Sequence, residues 1–249
     1  MKVVSWVFLL IAGWLVGAIV NWLADQLPAL QKPTSPRCIY CQQKVSLGRY
    51  LTLERCRECG KKRSIRSWVI QILIPGLTLV LFMGDFSRIH PAIDLFILSY
   101  FLLVSVIDIE HRLILGPVSV VGFIIGSLSG IYIHDFSTTL IGGLAGGGIM
   151  WLLYQLGRIF SRWMSARRGG EPIDEEALGF GDVYVAVIIG LILGWPGITI
   201  GLFAAILAGG LVSGVYLASM FVLKRYQPFT ALPYAPFLLV ATIVLIYWN

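Results

Sequence analysis

Charge is what this chain is short of. Only 13% of its 249 residues are Asp, Glu, Lys or Arg, against roughly 25% in a soluble domain, which excludes a water-soluble globule. Hydrophobic residues make up 57% of the chain and its mean hydropathy is +0.84. The reading is an all-α integral membrane protein. Repeats of fixed period, recognised nucleic-acid motifs and a glycine-rich dinucleotide fingerprint are all missing. The net charge of +6 therefore points to loop topology and anionic lipid rather than to nucleic acid. Cysteine is confined to four residues in one polar segment. No small-residue cleavage site follows the first apolar run, so that run is read as a span and not as a signal peptide.

Apolar runs of about the length a bilayer core requires cover Val3–Leu23, Trp68–Met83, Ala92–Ile107, Pro117–Ile133 and Thr138–Phe160. A shorter run, Asp182–Leu193, leads into the turn Gly194-Trp195-Pro196-Gly197. A seventh run follows to about Leu223, and an eighth covers Leu232–Trp248. The pattern predicts a single membrane domain over 1–249 with about eight transmembrane helices, and a polar segment over 25–66 inserted after the first. Placing 25–66 in the cytoplasm puts seventeen of the nineteen Lys and Arg on that side, leaving only Lys2 and Arg88 outside. That bias sets the orientation, with both termini outside.

The polar segment carries Cys38-Ile39-Tyr40-Cys41 and Cys56-Arg57-Glu58-Cys59. Two such knuckles offer four thiolates to one tetrahedral ion, the pattern of a zinc ribbon. Two disulfides are the other reading, which a reducing cytoplasm disfavours. Closed by four cysteines, Cys38, Cys41, Cys56 and Cys59, the zinc would be structural, with no open position for chemistry.

The acids near lipid are few: Asp94, Asp108, Glu110 and Asp182. An ionised group in the bilayer core costs at least about 2.5–3.5 kcal/mol, so each is a functional candidate. Asp94 falls at the outer end of its span, whereas Asp108 and Asp182 fall at the cytoplasmic edge. Asp182, at a helix start, can serve simply as a cap. Asp108 ends a helix, where the macrodipole disfavours an anion. Two carboxylates at one depth can share a proton and hold a water, one as general base and one as general acid. That is aspartyl protease chemistry. Glu110 is a second candidate for the Asp108 role, His90 and His134 read as solvated turn residues, and Gly142–Gly148 reads as a close helix contact.

Gly179-Phe180-Gly181-Asp182 matches the GxGD signature of intramembrane-type aspartyl proteases. The larger block Glu176–Asp182 resembles the type IV prepilin peptidase (leader peptidase/N-methyltransferase) family. In the same order come Gly17-Ala18-Ile19-Val20-Asn21, Leu27-Pro28, the cysteine pairs, Ile107-Asp108-Ile109-Glu110-His111-Arg112 and Pro233-Tyr234-Ala235-Pro236-Phe237. The resemblance spans nearly the whole chain. It implies a bacterial inner-membrane enzyme that cuts basic leaders from prepilins or pseudopilins at the cytoplasmic face, typically between Gly and Phe. It also implies methylation of the new amino terminus from S-adenosylmethionine. The catalytic aspartates fall on Asp108 and Asp182, with Gly179, Gly181 and Glu110 shaping the site. Three positions depart from the family pattern: Tyr184 where Lys is common, Leu115-Gly116 where Pro-Asp or Pro-Asn is usual, and Gln71 where Glu is frequent. A non-catalytic zinc-ribbon scaffold, a transporter and a protease-dead relative are the competing readings.

Overall fold

The structure, a computed structural model, describes residues 2–32, 34–84, 86–87, 89–167, 179–222 and 233–247. Among them are nine helices and no strand beyond a single bridge between Arg37 and Lys44. The expected loop acids Glu175 and Glu176, and Lys224 and Arg225 after the seventh run, lie outside the described residues. Six helices are long and apolar enough to cross a membrane, and two further apolar helices are shorter. The chain divides into two compact units, Met1–Pro117 and Val118–Asn249.

In the first unit α1 (Lys2–Leu30) packs against α3 (Ile65–Met83) and α4 (Pro91–His111), with the short α2 (Leu47–Leu51) beside α1. Two devices bring α1 and α3 together. Gly13 faces the backbone of Pro75, where an added Cβ would stand 2.6 Å from the Pro75 Cα. Next to it, the fully buried Gln71 donates through Nε2 to the Trp14 carbonyl (2.6 Å) and accepts through Oε1 from Asn21 Nδ2 (3.2 Å). Asn21 also donates to the Ser67 carbonyl at 3.0 Å. With no water in the hydrocarbon, these amides bond to one another and to helix carbonyls across the helix pair, leaving only the buried Asn21 Oδ1 among their oxygens without a partner among the described residues. The departure at Gln71 thus has a use that Glu lacks: an amide can accept at one end and donate at the other.

α1 runs seven residues past Leu23. The polar Asp25 and Gln26 that end the apolar run find partners in the loop: Tyr50, Arg63 and Arg66 for Asp25, and Thr34 for Gln26. At the other end of this unit the buried Asp94, in the first turn of α4, accepts from Ser87 Oγ (2.7 Å) and from the Ile89 N–H. That supplies anchoring of the preceding turn, close to the favourable end of the helix dipole.

The second unit holds α5 (Gly116–Ile133), α6 (Phe136–Arg167), α7 (Phe180–Leu193), α8 (Gly197–Val222) and α9 (Ala235–Tyr247). Asp135 caps α6, accepting from the Ser137 and Thr138 N–H groups, and its carboxyl is held below the usual range by the Thr138 and Ser137 bonds. α7 is the core of the unit. It packs against α6, α8 and α9, and nine of its fourteen residues are buried. Gly142 and Gly146 of α6 meet the backbone of Gly190 and Ala186, where a Cβ on either glycine would run into the opposing carbonyl. This is the close packing that small residues allow between membrane helices. Protein contact on most sides lets α7, at 14 residues, stay shorter than a lipid-exposed span of ~20.

Candidate active site and cysteine cluster

The two cysteine knuckles are built alike. In the first, the Cys38 N–H donates to the Gln43 carbonyl and the Gln42 N–H to the Cys38 carbonyl, each at 2.9 Å. In the second, the Cys56 N–H donates to the Lys61 carbonyl at 3.1 Å and the Gly60 N–H to the Cys56 carbonyl at 2.9 Å. The residue after each second cysteine takes a left-handed conformation, Gln42 at φ 58° and Gly60 at φ 67°. The turn folds each pair of thiols inward. All four Sγ atoms lie within 4.8 Å of one another, with Cys38 to Cys59 at 3.7 Å and Cys41 to Cys56 at 3.6 Å. Four sulfurs at about 2.3 Å from a tetrahedral zinc stand about 3.8 Å apart, so the cluster fits a metal. The thiols are free rather than paired in disulfides. Hydrogen bonds from the Cys59 and Glu58 N–H groups outweigh burial and draw the Cys56 thiol down to about 7. At its partner Cys41 a backbone hydrogen bond at Gln43 is outweighed by burial and the neighbouring thiols, which push that thiol up to about 12.

Between this cluster and the helix ends sits an ion-pair hub that the sequence did not announce. Arg63 Nη1 donates to Asp25 Oδ2 at 3.0 Å, and Arg66 holds Asp25 Oδ1 through Nη2 and Glu110 Oε2 through Nη1 at 2.9 Å. The Asp25 side chain is fully buried. Tyr50 donates its hydroxyl to Asp25 at 2.6 Å and carries the Arg63 guanidinium over its ring at 3.9 Å. Burial, then the Asp25 charge, pushes the Tyr50 phenol well above its ordinary range. The hub ties the ends of α1, α3 and α4 to the loop. Its one sequence signal is a lone acid after an apolar run, with two arginines three residues apart at the far end of the loop.

Asp108 lies in the last turn of α4, 5% exposed, and its carbonyl accepts from the N–H of Arg112, which closes the helix at φ 52°. Glu110, two residues on, is 39% exposed and held by Arg66, with His111 Nε2 at 4.0 Å.

In the second unit Asp182 is the third residue of α7 and 7% exposed. Its carboxylate accepts from the Gly179 N–H at 3.2 Å, half of a capping box whose other half a glycine cannot supply. A Cβ at Gly179 would meet Asp182 Oδ2 at 3.6 Å, ordinary contact. Beside the aspartate runs a row of edge-on rings: Tyr154 to Phe180 at 5.5 Å, Phe180 to Tyr184 at 5.3 Å and Tyr184 to Phe123 at 6.0 Å. Tyr184, where a lysine was expected, is thus fixed in an aromatic row rather than presenting a cation. Leu115 is buried, and Gly116 has open space where a Cβ would go, so packing does not require glycine there.

A sequence model described as the type IV leader peptidase family matches residues 95–214. Along most of its length the chain is also similar to proteins described as prepilin leader peptidase/N-methyltransferase. One from Aeromonas salmonicida is 23% identical over 234 residues, covering 90% of this chain and 75% of that one. One from Myxococcus xanthus is 26% identical over 218 residues, covering 83% and 61%. One from Stutzerimonas stutzeri is 22% identical over 277 residues, covering 96% and 89%. No solved structure matches the chain. An all-helical membrane fold with these relatives defines a peptidase. Over residues 95–214 the chain is similar to the type IV leader peptidase family, and over most of its length to these prepilin leader peptidases.

Proposed function

We propose that the chain cleaves leader peptides from type IV prepilins or pseudopilins at the cytoplasmic face of the bacterial inner membrane, with Asp108 and Asp182 as the catalytic pair. The observation that carries this reading is the burial of both carboxylates at helix ends, one in each unit. Asp94 is buried too, but the turn before α4 already uses it. One carboxylate removes a proton from water as the water oxygen bonds to the scissile carbonyl carbon. The other, protonated, gives its proton to the departing amide nitrogen as the C–N bond breaks. One water is consumed, a carboxyl and an amine are formed, and the pair keeps a single shared proton.

Gly179 and Gly181 keep the approach to Asp182 free of side chains, since the helix start itself tolerates a Cβ at Gly179. The aromatic row beside Asp182 offers an apolar surface to the substrate where the family resemblance led to the expectation of a lysine. Zinc held by Cys38, Cys41, Cys56 and Cys59 orders the loop. Methylation of the new amino terminus from S-adenosylmethionine forms the second half of the proposal and rests on the relatives' descriptions. The basic loops set the orientation.

The test is cleavage of a co-expressed prepilin with a Gly-Phe junction by the unmodified chain, Asp108→Asn and Asp182→Asn, each at normal membrane levels. Cleavage is expected from the unmodified chain and lost in both variants. Cleavage that survives either change removes that residue from the mechanism, and for Asp108 it transfers the role to Glu110.

A further inference from the structure

Asp108 is the last packed residue of α4. Phe101, Val104 and Asp108, spaced to share one helix face, are all buried. Beyond them Ile109, Glu110, His111, Arg112 and Leu113 are all exposed. The turn closes at Arg112, whose φ of 52° is uncommon for a residue with a Cβ and whose N–H reaches the Asp108 carbonyl at 2.8 Å. Helix ends that lack packing fray, because their last carbonyls have no partners within the helix. An end that carries a reacting group needs a hold from outside its own helix.

We propose that Glu110 is a positioning residue: clamped by Arg66, it sets the orientation of the Asp108 carboxyl for peptide cleavage, an inference that rests on the catalytic role proposed for that aspartate. Among the described residues, the one side-chain bond from 109–113 to another helix runs from Arg66 Nη1 to Glu110 Oε2, at 2.9 Å. His111 Nε2 stands 4.0 Å from the same oxygen, but it belongs to α4 and ties the turn to nothing else.

The clamp ends in a fixed frame. Arg66, in the first turn of α3, holds Asp25 of α1 through Nη2, and the buried Asp25 is shared with Arg63 and Tyr50. The guanidinium is a rigid planar fork, so Glu110 is located relative to Asp25 by that plane and not by a flexible stem. Residues two apart project about 200° around a helix, which puts Glu110 and Asp108 on nearly opposite sides of α4. A grip on Glu110 therefore fixes the rotation of the last turn about its axis, and with it the direction of the aspartate. Misplacement of a reacting group by about 1 Å can cost about 100-fold in rate. Glu110 does this without touching the substrate.

The experiment follows cleavage of the Gly-Phe prepilin by the purified full chain in detergent, with kcat and KM separated, for the unmodified chain, Glu110→Ala and Glu110→Gln. Glu110 is 39% exposed, so its loss leaves the bonds of Asp25 to Arg63 and Tyr50 in place. Hydrogen exchange over residues 105–113 reads the turn without turnover. In Glu110→Ala, kcat should fall by about 10- to 100-fold at unchanged KM, with faster exchange. Glu110→Gln keeps an oxygen for Arg66 and should fall less. An unchanged kcat, a change confined to KM, or unchanged exchange in Glu110→Ala overturns the inference while cleavage by the unmodified chain stands. Equal loss in both variants makes Glu110 a reacting group and overturns it as well. No cleavage by the unmodified chain overturns the proposed function and this role together.

Discussion

The α1/α3 contact permits a matched pair of substitutions with opposite expected signs. In Gly13→Ala the new Cβ would stand 2.6 Å from the Pro75 Cα and 2.6 Å from Thr78 Oγ1. Carbon atoms rest at about 3.5–4.0 Å, so the helices must part by about 1 Å, and the proline backbone cannot give locally. Overpacking of this kind costs about 1–3 kcal/mol. The same displacement pulls on the Gln71 to Trp14 bond one residue away, adding about 0.6 kcal/mol for a typical membrane hydrogen bond. Helix propensity returns up to about 1 kcal/mol, leaving a net loss of about 1–3 kcal/mol. Gly76→Ala, one residue beyond Pro75 on α3, places its Cβ where nothing lies within 4 Å. It keeps the propensity gain alone, up to about 1 kcal/mol. Intrinsic tryptophan fluorescence during heating in detergent reads both. Gly13→Ala should lower the unfolding midpoint by about 2–12 °C, and Gly76→Ala should raise it by up to about 4 °C. An unchanged or raised midpoint in Gly13→Ala would refute the close approach of the two helices.

Gln71→Glu removes the donor that serves the Trp14 carbonyl and should destabilise by about 1–2 kcal/mol near neutral pH. A thermal midpoint equal to the unmodified chain's at neutral pH would contradict the Gln71 bridge. Chelation with thiol alkylation should open residues 38–59 to limited proteolysis and release metal measurable in the filtrate. A loop with unchanged protease resistance after complete alkylation would remove the zinc assignment.

Spacing made some of this legible in advance. Two C-x-x-C pairs need only short local turns to aim their thiols, so the cluster could be read directly from the sequence. The start of α7 and the small residues of α6 were equally local signals. What stayed hidden were partners distant in sequence. Asp25 looks like the residue that ends a span, yet Tyr50, Arg63 and Arg66, 25 to 41 residues away, let α1 continue to Leu30. The end of α6 behaves likewise, running past Phe160 to Arg167 with Arg158 and Arg167 stacked on Tyr154 and Trp163. Gln71 carries no signal in the sequence that its two amide ends face two different groups of α1. Apolar runs gave the helices, but not which of the short ones are enclosed by protein rather than by lipid.

The bond from the Gly179 N–H to Asp182 bears on how the catalytic role proposed for that aspartate should be tested. Asparagine at position 182 retains an oxygen that can still receive that N–H, so the first turn of α7 survives while the ionisable group is gone. Alanine deletes the cap together with the carboxylate, and since α7 packs against three other helices, a loosened start would be felt throughout the second unit. A silent alanine variant would then report on an unravelled helix as readily as on missing chemistry. On the role proposed for Asp182, the asparagine form is the one suited to holding an uncut substrate in place.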